Sequence, residues 1–198
     1  NTLQVRPVAN KDDSLYNIDK RKKDPHYDLR QKIKHFSPDL LAVSCTETTF
    51  ARALKLITKT RDMGIINIFG GVFPTFAPRL VMNFEAVDML CVGEGENALI
   101  DLCQRIQKGQ PYNNITNLWV KQKDGSLIKN PISNPFDIND TPIIDISLFE
   151  EQRLQRPMAG KWYKMLPVET IRGCPYKCTY CNSPDQVDLY KRETDASF

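Results

Sequence analysis

Ile65-Ile66-Asn67-Ile68-Phe69-Gly70-Gly71 is a short, nearly continuous apolar run that stops on two glycines. It is too short for an amphipathic helix and does not alternate as a half-exposed strand would. The pattern predicts a strand buried on both faces, as in a parallel sheet covered by helices. On the N-terminal side, Asp39-Leu40-Leu41-Ala42-Val43 predicts a similar strand ending at Ser44. The helix between the two carries Phe50, Leu54 and Ile57 at i, i+4 and i+7, with Gly64 as its C-terminal stop. On the other side, a short helix is expected over 78–84. A third strand follows at Val87-Asp88-Met89-Leu90-Cys91-Val92, ending at Gly93. A helix with Leu99, Leu102, Cys103 and Ile106 on one face then runs to Gly109. This alternation implies an α/β fold with a parallel sheet. Right-handed crossovers bring all the strand ends to one edge of that sheet. Ser44-Cys45-Thr46-Glu47, Gly70-Gly71-Val72-Phe73-Pro74-Thr75 and Gly93-Glu94-Gly95-Glu96 therefore converge where open α/β sheets bind ligands.

After Gly109 the pattern changes. Leu118–Lys121 and Leu127–Lys129, joined through Asp124-Gly125, predict a β-hairpin within 117–129. Residues 130–163 carry Pro131, Pro135, Pro142 and Pro157 among many Asn and Asp, which is a linker composition. Met165-Leu166-Pro167-Val168-Glu169-Thr170-Ile171 then reads as a new strand opening a second region, 164–198. Ahead of the sheet, Leu3–Val8 alternates as a strand would, and residues 11–23 are polar and loop-like. Asp24-Pro25 starts a helix with Leu29, Ile33 and Phe36 on one face. The first domain is taken as 1–129.

Bulk properties bound the function. The 198 residues are 41% hydrophobic and 26% charged, which suits a packed core. A net charge of +3 is too small for a nucleic-acid surface, and Lys20-Arg21-Lys22-Lys23 reads as a solvated loop. No run of about 18 apolar residues is present for a membrane span. Six cysteines in a chain of this length are not a disulfide scaffold, so a reducing, cytoplasmic setting is expected.

Three of those cysteines form the densest chemical signal: Cys174, Cys178 and Cys181, spaced C-x3-C-x2-C within Arg172-Gly173-Cys174-Pro175-Tyr176-Lys177-Cys178-Thr179-Tyr180-Cys181. A structural zinc site is closed by four ligands. His26 and His35 are the only histidines and lie far upstream. Three thiolates on a [4Fe–4S] cluster would leave one iron open. A zinc-stabilised interaction domain remains the competing reading. Cys45, Cys91 and Cys103 read as small buried hydrophobes, and Trp119 and Trp162 as packing residues.

The cysteine stretch resembles the signature of the radical S-adenosylmethionine enzymes. In that family three such cysteines hold a [4Fe–4S] cluster whose open iron chelates S-adenosylmethionine. The resemblance places Tyr180 near the adenine. An electron from the cluster then yields a 5′-deoxyadenosyl radical, and a reductant such as flavodoxin or ferredoxin supplies it. The upstream half resembles the Rossmann-like cobalamin-binding domain that precedes many of these enzymes. It implies cobalamin contacts from Ser44, Thr46, Gly70, Gly71, Val72, Thr75, Gly93, Glu94 and Gly95. Many cobalamin domains carry D-x-H-x-x-G. Asp24-Pro25-His26-Tyr27-Asp28-Leu29 lacks the glycine, lies too close to Ser44 and is read as a chance match. The resemblance implies a cobalamin-dependent radical enzyme, with methylation of an unactivated carbon as one reaction. Ring-forming and rearranging relatives share the domain pair, and a non-catalytic cobalamin- or metal-binding module is the alternative. The chain reads as the cobalamin-type domain and the opening of a barrel, inactive alone. Its small-molecule substrate is not legible.

Overall fold

The computed structural model of the chain describes residues 24–196. The strand expected at 3–8 and the polar segment 11–23 lie outside the described residues. Among the described residues, one compact unit comprises 24–136 with 173–196, and 137–172 belongs to a second.

The larger unit opens with α1, Pro25–Phe36. Asp24 caps it by accepting the His26 N–H at 3.0 Å, and Ser37 closes it in the left-handed region. Ile33 is buried, but Phe36, expected on the same face, is exposed. Then follow β1 (Leu40–Ser44), α2 (Glu47–Thr58), β2 (Ile66–Gly70), α3 (Val72–Phe76), α4 (Pro78–Met82), β3 (Met89–Cys91) and α5 (Glu96–Gln107). β1, β2 and β3 pair in parallel and in chain order, with Ser44 beside Gly70. β4 (Leu118–Lys121) and β5 (Leu127–Lys129) form the expected hairpin. β4 also pairs antiparallel with β3, so the hairpin completes a five-stranded sheet. A hairpin can add to an open edge because the backbone groups of β3 would otherwise lack partners.

Side chains alternate across the strands, and each face has its own core. Phe69, Leu90 and Val92 meet Phe50 and Ile57 of α2 and Val81 and Met82 of α4. Phe50 centres an aromatic group there, with ring centroids 5.0 to 5.9 Å from Phe73, Phe84 and Phe69. On the other face Ile68, Met89, Leu118 and Val120 pack against Ala98 and Leu102 of α5. The sheet is thus covered by helices on both faces.

Several local expectations are corrected. Gly64 does not end α2; it closes a separate 3-10 turn, Arg61–Met63, at φ 71°. Cys103 is exposed, because Ala98 and Leu102 supply the buried stripe of α5. A turn of helix, α3, forms directly after the double glycine, ahead of the short helix expected over 78–84. Among the described residues Met165–Ile171 is not a strand. A strand exists through its ladder, and this run pairs with no other. In the smaller unit, β6 (Gln155–Met158) and β7 (Lys161–Lys164) form a hairpin inside the stretch read as linker. It turns at Ala159-Gly160, both at positive φ.

Candidate functional site

The strand ends meet as the alternation requires. On the α5 face the side chains shrink toward the C-terminal edge. β1 presents Leu40, then Ala42, then Ser44; β2 presents Ile66, then Ile68, then Gly70. Leu99, in the first turn of α5, borders these small residues. The result is a cavity of about 220 Å³ lined by Ala42, Val43, Ser44, Ile68, Gly70, Gly71, Cys91, Gly93, Gly95 and Leu99.

The glycines there do different jobs. A β-carbon at Gly70 would meet only Cys91 Cβ, at 3.9 Å, so that residue keeps space open. Gly71 has φ 96°, and its β-carbon would stand 2.8 Å from the Cys45 carbonyl oxygen. Only glycine fits there. Gly93 has φ 81°, and a β-carbon would stand 2.7 Å from the Tyr190 hydroxyl. Gly95 precedes α5, and a β-carbon would lie 3.6 Å from Leu99 and 3.7 Å from the Cys91 sulfur.

The polar residues divide into rim and frame. Ser44 lines the cavity and is exposed. Thr46 heads α2: its N–H donates to Thr49 Oγ1 at 2.9 Å, and its hydroxyl bonds those of Thr48 and Thr49. Thr75 is buried, donates to the Gly71 carbonyl at 2.9 Å and accepts the Gly93 N–H at 3.1 Å. It ties two glycine loops together from behind the cavity. Val72 is exposed at the start of α3 and does not line the cavity. Glu94 is held on three sides. Its carbonyl accepts Asn117 Nδ2 at 2.9 Å, its carboxylate accepts the Phe136 N–H at 2.6 Å, and its own N–H donates to Tyr190 Oη at 2.8 Å.

Two of these anchors escaped sequence reading. Asn117 is buried at φ 68° before β4, and its Oδ1 also accepts the Ser133 N–H at 2.7 Å. The only hint was an Asn ahead of a strand, a residue that tolerates left-handed backbone. Tyr190 lies on α6, Ser183–Glu193, with 3% of its surface exposed. No local pattern marks it, because its partner is 96 residues away.

Burial sets the titration of the groups around the cavity. It pushes the Cys91 thiol up to about 12. It pushes the Tyr190 hydroxyl up to about 12 as well, against the opposing bond from the Glu94 N–H. The Cys45 thiol is raised by the same cause. These thiols stay neutral and weakly nucleophilic near pH 7.

Asp88 is not at this edge. It lies just before β3, at the opposite end of the strand, and accepts Arg61 at 2.7 Å and Asn67 Nδ2 at 2.7 Å. His26 lies in the first turn of α1, away from the strand ends.

Cys174 and Cys178 are exposed and Cys181 half-buried on the loop before α6. Among the described residues no three Cys, His, Asp or Glu side chains are gathered as metal ligands, so the three sulfurs do not converge. Cys181 Sγ lies 3.4 Å from Ser183 Oγ and accepts the Ser183 N–H at 3.5 Å, and donation from Ser183 to the sulfur lowers its pKa. Tyr180 is exposed on the same loop. A larger open groove of about 870 Å³ runs beside α6 and the hairpin, where Arg79, Lys129 and Arg192 are matched by Asp185, Asp188 and Glu193. It has no charge preference to suggest a ligand. No helix among the described residues is long and apolar enough to cross a membrane.

Comparison with known proteins puts these features in context. Residues 10–102 match the family model described as B12 binding domain. An uncharacterised methyltransferase of Pyrococcus horikoshii is 27% identical over 161 residues, 79% of this chain and 34% of that protein. TokK of Streptomyces tokunonensis, a cobalamin-dependent radical SAM methyltransferase, is 28% identical over 159 residues, 73% of this chain and 22% of its own length. Among solved structures, the radical S-adenosylmethionine methyltransferase TsrM of Kitasatospora setae matches with a TM-score of 0.50 and 20% identity. That match covers 56% of this chain and 22% of TsrM and shows a shared fold. The chain thus spans about a third or less of the curated relatives it matches.

Proposed function

We propose that the chain, whose residues 10–102 match the B12 binding domain model, serves a cobalamin-dependent radical S-adenosylmethionine enzyme, with transfer of a methyl group to an unactivated carbon as its reaction. The observation that carries the cobalamin reading is the glycine-lined cavity at the strand ends. Its volume of about 220 Å³ is below the roughly 300–1,000 Å³ that encloses a whole drug-sized ligand. It suits one flat arm of a large cofactor, the nucleotide tail, and leaves the remainder outside. Gly70 and Gly95 give that arm close backbone approach. Ser44 offers it a hydroxyl. The frame of Thr75, Asn117 and Tyr190 holds the walls in place.

The cluster reading is supported by the donor set, three thiols at C-x3-C-x2-C. Cys174, Cys178 and Cys181 would hold a [4Fe–4S] cluster, and Tyr180 would border the adenine of S-adenosylmethionine. When bound, the cluster would supply the electron that cleaves S-adenosylmethionine, and cobalamin would supply the methyl group. The chain's own part is to bind and orient those groups. The methyl-transfer reading draws on the relatives TokK and the Pyrococcus horikoshii protein, both methyltransferases.

Two measurements on the full chain test this. Mixed with hydroxocobalamin and desalted, the protein should retain the cobalamin spectrum near one equivalent. Reconstituted anaerobically with iron and sulfide, it should turn brown with absorption near ~400 nm, and Cys174→Ala should abolish that colour. Colourless protein holding one tight zinc would overturn the cluster assignment, and loss of all cobalamin on desalting would overturn the cavity assignment.

A further inference from the structure

α6 joins the two proposed cofactor regions. It begins two residues after the last cysteine, and its first residue, Ser183, is hydrogen-bonded to Cys181. Seven residues on, about 10 Å along the axis, the same helix carries Tyr190. Leu189 packs into the core with Val92 and Leu90. The neighbouring Tyr190 hydroxyl reaches the loop beside that core. It accepts the N–H of Glu94, on the loop whose flanking glycines line the cavity. The fit is close enough that a methyl at Gly93 would collide with the hydroxyl at 2.7 Å. A residue needed only for packing would be served by phenylalanine. The hydroxyl is explained by the loop it holds.

We propose that Tyr190 is a positioning residue that couples the rim of the glycine-lined cavity to α6 and the cysteine loop, so that a ligand in the cavity steadies the helix that follows Cys181. This rests on the reading that the cavity takes cobalamin. The coupling runs through the Glu94–Tyr190 hydrogen bond and along α6. Removing the hydroxyl therefore separates the two ends without emptying either.

The test is amide hydrogen exchange on the full chain, with and without excess hydroxocobalamin, in wild type and Tyr190→Phe. In wild type, ligand should slow exchange at 93–96 and also at 183–193, the latter by about fivefold or more, the lower range of ordinary coupling between sites. In Tyr190→Phe, protection at 93–96 should persist while that at 183–193 disappears. Ligand protection of 93–96 without 183–193 in wild type overturns the coupling, as does protection of α6 that survives the substitution. If wild type binds no hydroxocobalamin, the cavity reading fails, and the clasp is judged on the ligand-free samples. There Tyr190→Phe should speed exchange at both segments, and equal rates would overturn it. If Tyr190→Phe folds poorly, the wild-type comparison still decides: ligand protection of 93–96 without 183–193 overturns the coupling.

Discussion

A β-carbon at Gly70 has 3.9 Å of clearance, whereas one at Gly71 would sit 2.8 Å from a carbonyl oxygen at φ 96°. Gly71→Ala should therefore destabilise the fold by about 2 kcal/mol or more, and Gly70→Ala by well under half of that, read as shifts in urea midpoint. Equal losses would mean that the two glycines are not divided between frame and cavity. The neutral groups beside them predict a pH limit. The ordinary values of Cys91 and Tyr190 are 9.0 and 10.0, and both are raised to about 12 in the fold. An acid held protonated by burial contributes stability that is complete below its unfolded value and is lost as pH rises to its folded one. Stability should thus fall between about pH 9 and 12, and Tyr190→Phe should reduce the steepness of that fall; a flat profile through this window would contradict the burial of both groups. Single residues were unevenly legible. Gly70, Gly71, Gly93 and Gly95 could be placed at one edge because glycine after an apolar run marks a strand end. Asn117 and Tyr190 could not, because their roles come from partners distant in sequence.

Pairs of elements are held by short polar ties as well as by the core. Asp88 joins β2 to β3 through the buried Asn67, and both to Arg61. Asp88→Ala would leave Asn67 Nδ2 bonded only to the Ala86 carbonyl and its backbone N–H without that acceptor. The cost should be about 2 kcal/mol, measured by equilibrium unfolding, and an unchanged midpoint would show that water replaces the carboxylate freely. The strands β1, β2 and β3 were readable because continuous apolar runs between helical periods have few alternatives. That the hairpin would extend the sheet was not readable: the sequence defines the hairpin's internal pairing but not the neighbour it joins. β6 and β7 were missed for the opposite reason. Gln155–Met158 and Lys161–Lys164 are charged and contain a proline, and only Gly160 signals the turn. Met165–Ile171 has the composition of a strand without a pairing partner among the described residues.

Across the larger unit, one sheet edge gathers the cavity, the loop that frames it and the helix that leads back to the cysteines. The fold and the cavity's position follow from local patterns in the chain, while the coupling of cavity to cysteine loop emerges only once distant segments are brought together. The region shared with two relatives is 34% and 22% of their own lengths. The proposed function turns on cobalamin binding at the strand ends. Equilibrium titration of the full chain with hydroxocobalamin, wild type against Gly70→Leu, decides it. The account predicts saturable one-to-one binding in wild type, weakened at least about tenfold in Gly70→Leu, roughly 1.4 kcal/mol, with the fold retained. Equal affinity in both proteins, or no binding in wild type, would contradict it.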